Sequence, residues 1–140
     1  MRQPEVNPAD HPNAAILREL YATGFAALWR YVTEDVVLHA AERDIPGMRQ
    51  THAGAEAVQV HENRLVRRSA GTFRMDVHIA VANDYFGAVM GVLSEHVPGA
   101  GVAMPFCGLW RFRDGRIVEH WEQAYDALAL PSLLTESATG

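Results

Sequence analysis

GLWRFRDGRIVEHWEQAYD, residues 108–126, holds two runs of alternating residue type hinged on Asp114-Gly115. Alternation is the mark of extended backbone, whose successive side chains point to opposite faces, and Asp-Gly favours a tight hairpin turn. The stretch therefore predicts two antiparallel strands, Val102 to Arg113 and Arg116 to Ala124. On the first, Met104, Phe106, Gly108 and Trp110 share one side; on the second, Val118, His120, Glu122 and Ala124 oppose Ile117, Glu119, Trp121 and Gln123.

Reading toward the N-terminus, Pro98-Gly99-Ala100-Gly101 makes another turn, preceded by a strand from Tyr85 to Val97 and a hairpin signal at Asn83-Asp84. Before that, Phe73, Met75, Val77, Ile79 and Val81 alternate with Arg74, Asp76, His78, Ala80 and Ala82, which predicts a strand with one core face. The chain before residue 70 is helical in pattern. Ile16, Leu17, Leu20 and Tyr21 follow Asn13, placed to cap, and precede Gly24, placed to stop the helix. A short second helix, Phe25 to about Tyr31, brings Leu28 and Trp29 to the core, and a strand follows over Val36 to Ala40. Residues 41–52, with Pro46 and Gly47, read as a loop over a pocket mouth. Gly54 to Arg68 is a third helix, with Ala57, Val58, His61 and Leu65 on one side and Glu56, Gln59, Glu62, Asn63 and Arg67 on the other. Residues 1–12 and 135–140 read as flexible tails around one domain, 13–134.

A chain of 140 residues that is 49% hydrophobic and 21% charged can bury a core as a single domain. Its basic residues are scattered and outnumbered, 12 against 17 acidic, so no phosphate-tracking stripe exists and nucleic acid is not an expected partner. No window is apolar enough for a membrane span, and the lone Cys107 closes no intrachain disulfide, so the expectation is a cytoplasmic protein. Phosphate-loop, dinucleotide and nucleophile-elbow motifs are absent, as is a tight metal-ligand spacing among His11, His52, His61 and His78, so neither cofactor nor metal is expected.

The helical start, the phrase TEDVVLHA, the segment GAEAVQVHENRLVR and above all residues 108–126 resemble the SnoaL-like polyketide cyclases of the nuclear-transport-factor-2-like and ketosteroid-isomerase-like superfamily. The resemblance implies an α+β fold: a cone-like α+β barrel of three N-terminal helices packed on a strongly curved antiparallel sheet. In similar cyclases and in limonene-epoxide-hydrolase-like proteins the catalytic aspartate falls where this chain has Glu122, which turns His120 and Glu122 inward. The position of the cyclases' partner histidine falls on Gly108, a departure, and the base position of the ketosteroid isomerases falls at His39 or Ala40. The isomerases' oxyanion acid has no counterpart, since Val97 to Arg113 contains no acidic residue.

Glu122 is then the expected general acid or base, its pKa raised by an apolar cavity, with His120 orienting it. His39 can replace a carboxylate as base, and Tyr21 can donate to a developing oxyanion as helix-one tyrosines do in similar isomerases. Trp29, Phe25, Met104, Phe106, Gly108, Trp110, Met90 and His96 are the expected substrate-binding lining. The expected activity is cofactor-independent proton transfer, as cyclase, isomerase or dehydratase, on a small apolar oxygenated molecule such as a polyketide or terpenoid intermediate. The alternatives are a non-catalytic binding or assembly protein of the same fold, or an epoxide hydrolase. Trp121 and Ile117, placed on the outward face, predict a homodimer through the sheet.

Overall fold

The computed structural model describes residues 7–41, 51–68, 73–97 and 100–125; the side chains of 64–68, 73, 95–97 and 100–102 lie outside that description. The order is α1 (Pro12–Ala22), a single 3-10 turn (Leu28–Arg30), β1 (Val32–His39), β2 (Thr51–Ala53), α2 (Ala55–Arg68), β3 (Phe73–Ala82), β4 (Phe86–Val97), β5 (Ala100–Arg113) and β6 (Arg116–Ala124). Six strands form one curved, unclosed sheet in the order β2-β1-β6-β5-β4-β3. Every neighbouring pair is antiparallel except β1 with β6, which run parallel because the chain returns to β1 only after the whole meander is laid down. Two helices cover the inner face, α1 over β3 and β4 and α2 over β1 and β2. Among the described residues no helix is long and apolar enough to cross a membrane.

Turn chemistry fixes the meander. Asn83 Oδ1 accepts from the backbone N–H of Tyr85 and Phe86, closing the first hairpin, and Asp114 (φ 52°) with Gly115 (φ 77°) makes the left-handed pair expected of Asp-Gly. Across the inner face, register aligns Ala82, Gly87, Trp110, His120 and Leu38 in one row and Ala80, Val89, Gly108 and Glu122 in the next. Trp110, Leu38 and Val89 are almost wholly buried there, with Leu17, Leu20 and Leu28 pressed on them from the helix side. Met104 and Phe106 join them, while Arg74 and Asp76 point to solvent, as the alternation predicts.

Several expectations need correction. Helix α1 is capped by His11, whose Nδ1 accepts from Asn13 N–H while its Nε2 meets Asp84 at 2.8 Å; Asn13 itself turns inward and donates to Asn83 O. The expected second helix shrinks to one turn because Gly24 and Phe25 both adopt left-handed φ, 61° and 65°. A bulky residue in that region costs about 1–2 kcal/mol, but the buried Phe25 ring recovers about as much by leaving water. That geometry throws Trp29 outward: it is 63% exposed, under the Arg30 guanidinium, and does not line a pocket.

One-residue bulges reverse the parity of two strands. In β3 the register shifts between Val77 and Ile79, so Ile79 is exposed and Ala80 and Ala82 are buried. In β6 it shifts between Ile117 and Glu119, so Ile117 is fully buried, against the outward placement expected of it, while His120 and Glu122 keep their inward side. Met90 pairs with Ile79 and Cys107 on the outer face and is also exposed, so it is not part of the interior lining. Gly91 marks the β3 bulge: a Cβ there would overlap the Asp76 carbonyl. The side chains of His96 and Phe73, and residues 42–50 and 126–140, lie outside the described residues.

Candidate acid–base site on the inner face

Gly108 is the floor of the site. A Cβ on it would strike the Tyr21 hydroxyl and come within 2.9 Å of Trp110 Nε1 and 3.3 Å of His120 Cε1, so three polar side chains converge over this one residue because it has no side chain. Its partner across the β5–β6 ladder is Glu122. Tyr21 comes from the last turn of α1, where it packs edge-on to Phe25 at 4.9 Å and stacks on Phe106 at 5.8 Å. Burial, above all, pushes its phenol well above the ordinary tyrosine range, so the hydroxyl is a neutral donor. The Trp110 N–H approaches it without closing a hydrogen bond of normal geometry and has no other partner among the described residues.

His120 lies flat on Trp110, ring centroids 3.5 Å apart, and its Nδ1 is 3.0 Å from the Leu109 carbonyl. A carbonyl only accepts, so Nδ1 carries the hydrogen and Nε2 of the neutral ring is an acceptor. Burial lowers its pKa to about 4, against the smaller upward pull of Glu122. His120 is therefore spent on Trp110 and Leu109, and other groups orient Glu122. His61 Nε2 donates to Glu122 Oε1 at 3.2 Å, and the Ala41 N–H reaches the same oxygen at 3.3 Å. The His61 ring in turn lies 4.2 Å from that of His52 on β2.

Sequence reasoning placed Glu62 on the solvent side of α2, yet it is 1% exposed and faces Glu122. Donor atoms of His61, Glu62 and Glu122 all lie within 4.8 Å of one another. Two like charges that close repel by at least about 3 kcal/mol at an effective dielectric near 20, a factor of 10² or more in ionisation. That repulsion opposes ionisation of both carboxyls together. Burial first, then the Glu122 charge and their mutual hydrogen bond, raise Glu62 well above the carboxylate range. For Glu122 burial also pushes upward, but the His61 hydrogen bond and charge, with His120 and the Ala41 N–H, outweigh it and leave the pKa lowered. Of the two carboxyls, burial and its neighbour thus favour the neutral form at Glu62, and its hydrogen-bond partners favour the ionised form at Glu122. The signal was present in the helix: Ala55, Val58 and Glu62 follow i, i+3, i+7, a core-facing stripe with one glutamate in it.

His39 stands apart. It lies on the outer face, Nε2 2.7 Å from Glu119, its ring stacked on Trp121 at 5.3 Å, and Glu119 also accepts from Arg111 at 3.0 Å. The structure thus brings together Glu122, His120, Tyr21, Phe25, Phe106, Gly108 and Trp110, and leaves His39, Trp29 and Met90 outside.

Two helices over a curved six-stranded sheet, with the carboxyl–imidazole cluster between them, define the cone-shaped α+β class of nuclear-transport-factor-2-like proteins. The chain belongs to the SnoaL-like domain family, whose model matches residues 14–120. No functionally curated protein matches it in sequence. Among solved structures it is similar to Bal32a from a soil-derived mobile gene cassette (21% identity, 88% of this chain and 96% of that one, TM-score 0.72). It is also similar to a protein described as a SnoaL-like polyketide cyclase from a Jannaschia species (16%, 95% and 98%, 0.71). A steroid delta-isomerase from Pseudomonas aeruginosa is a third (21%, 96% and 94%, 0.65). At these identities the likeness is one of fold.

Proposed function

We propose that this protein is a cofactor-independent acid–base enzyme, a cyclase, isomerase or dehydratase, acting on a small apolar oxygenated molecule such as a polyketide or terpenoid intermediate. The observation that carries the reading is Glu122, held by His61 and the Ala41 N–H beside Gly108, under a neutral Tyr21 hydroxyl and a Trp110 N–H that has no hydrogen-bond partner among the described residues. Glu122 takes a proton from a carbon adjacent to a carbonyl, and Tyr21 and Trp110 donate to the oxygen on which charge develops. Phe25 and Phe106 supply the apolar wall that excludes water. The test is deuterium incorporation at the enolisable carbons of β-tetralone, a small bicyclic ketone, followed by proton NMR in deuterium oxide. Exchange above the buffer rate is expected. Binding without exchange would favour the second reading, a non-catalytic binder, to which Gly108 at the cyclases' histidine position also points.

We further propose a homodimer through the outer sheet face. Ile79, Met90 and Leu109 are each more than a third exposed there, in register with Val81, Ala88, Cys107 and Trp121, and a continuous apolar patch of this kind is ordinarily covered. Light scattering at micromolar concentration is expected to give twice the chain mass, and Leu109→Lys to give the monomer. A monomeric parent would overturn the assignment.

A further inference from the structure

Glu62 has one carboxyl oxygen in contact with Glu122 and another, Oε1, that is buried with no hydrogen-bond partner among the described residues. Folded proteins rarely leave such an atom unpaired, and it offers a position to an oxygen of a bound molecule. Either a proton or a divalent cation can relieve two buried carboxyls. His61 Nε2, the nitrogen a cation would need, is directed at Glu122 Oε1, and that oxygen also accepts from Ala41 N–H. The three side chains lie close enough to hold a cation, but in this structure His61 Nε2 and Glu122 Oε1 are spent on each other, an arrangement that suits a proton.

We propose that Glu62 is the second acid–base residue of the site, a neutral carboxylic acid whose one proton lies toward the Glu122 carboxylate when no molecule is bound and stands on Oε1 when one is, from where it passes to an oxygen of that molecule. The proposal rests on the acid–base reading of Glu122. In the forward step the Glu122 carboxylate removes a proton from the carbon next to the ligand carbonyl. The C–H electron pair becomes the C=C bond of an enol, and the carbonyl oxygen takes the Glu62 proton. Glu122 ends as the acid and Glu62 as the carboxylate, so the pair holds one proton and one negative charge before and after. Return of a proton from Glu122 to a different carbon, and of the enol proton to Glu62, completes an isomerisation. The groups around the pair are His61 from α2, His120 from β6 and Tyr21 from α1, with His52 of β2 behind His61. None of these carries a negative charge, so the anion facing Glu62 is Glu122 itself.

Infrared spectroscopy of the intact protein at pH 7, in water and in deuterium oxide, reads the proton directly. A deuteration-sensitive carboxylic acid band is expected in the parent and in Glu119→Gln, whose carboxyl is on the outer face, and its loss is expected in Glu62→Gln. On β-tetralone, Glu62→Gln should slow deuterium incorporation about 10²–10⁴-fold, and Glu62→Asp should restore part of it. Exchange in the parent without an acid band overturns the proposal and leaves the Glu122 reading standing. The band without exchange in any protein upholds the shared proton and overturns the acid–base reading. Zinc or manganese retained at one ion per chain by the purified protein, and released in Glu62→Gln, overturns the proposal by putting a cation where the proton should be.

Discussion

Glu122→Gln is expected to lower β-tetralone exchange about 10²–10⁴-fold while leaving the fold and ligand affinity nearly unchanged. The amide oxygen can still accept from His61 Nε2 and the Ala41 N–H, so the side chain keeps its place beside Gly108. What disappears is the ionised carboxylate that His61 and the Ala41 N–H hold beside Gly108, and with it the base at that position. The substitution also removes the charge that opposes ionisation of Glu62, so it should not destabilise the interior. Comparing kcat with KM and a direct binding constant separates the roles. An amide variant that melts several degrees lower yet turns over at the parental rate would make Glu122 a structural partner of His61.

The second large effect concerns stability against acid. His120 has a folded pKa of about 4 because burial opposes its charged form, against about 6.5 in the unfolded chain. Between these values the unfolded state binds a proton that the folded state does not, so stability falls as pH falls through this window. A difference of that size corresponds to about 3 kcal/mol, gathered between pH 6.5 and 4. Glu119 and Glu122, both lowered, add their own losses only below the ordinary carboxylate pKa. Glu62 has the opposite sign: its raised carboxyl stabilises the fold at low pH, and that contribution is lost as pH rises through its folded pKa. Urea unfolding at several pH values should show the acid slope in the parent. His120→Asn, which keeps a donor for the Leu109 carbonyl, should flatten the slope between pH 6.5 and 4.5. An unchanged slope would place the acid sensitivity elsewhere.

How much of this could be read from sequence depended on whether the local pattern had a single physical cause. Asp114-Gly115 and Asn83-Asp84 are turn chemistry, so the two hairpins and the bounds of β6 were legible residue by residue. Met104, Phe106, Gly108 and Trp110 kept their parity because β4 and β5 pair along their length with no shift. A bulge adds one residue without altering composition, so periodicity could not foresee that Ile117 turns inward or Ile79 outward. Phe25 adopted a conformation whose cost is met by burial of its ring against Trp110 and Tyr21, a tertiary cause invisible to helix periodicity, and the misplacement of Trp29 followed from it.

The candidate site was legible at Glu122 and Tyr21 and not at Glu62 and His61. Glu122 was found through the resemblance of the final strand to similar cyclases, and Tyr21 through the inward side of α1. Glu62 and His61 are neighbours on α2, about 100° apart around the axis, and reading the helix as two opposed faces assigned them to opposite sides. His39 failed for a simpler reason. It is one residue past Leu38, and one step along a strand is the other face of the sheet.

The most direct measurement is the pH profile of kcat/KM for β-tetralone exchange in the parent protein, taken over the range in which circular dichroism shows the fold intact. The rate should hold a plateau through neutral pH, fall on the acid side below the ordinary carboxylate pKa as Glu122 takes a proton, and fall on the alkaline side as the Glu62–Glu122 pair loses the one it shares. A rate that climbs through about pH 6.5 as an ordinary histidine titrates, or one with no dependence on pH across the folded range, would contradict the assignment of the chemistry to this carboxyl pair.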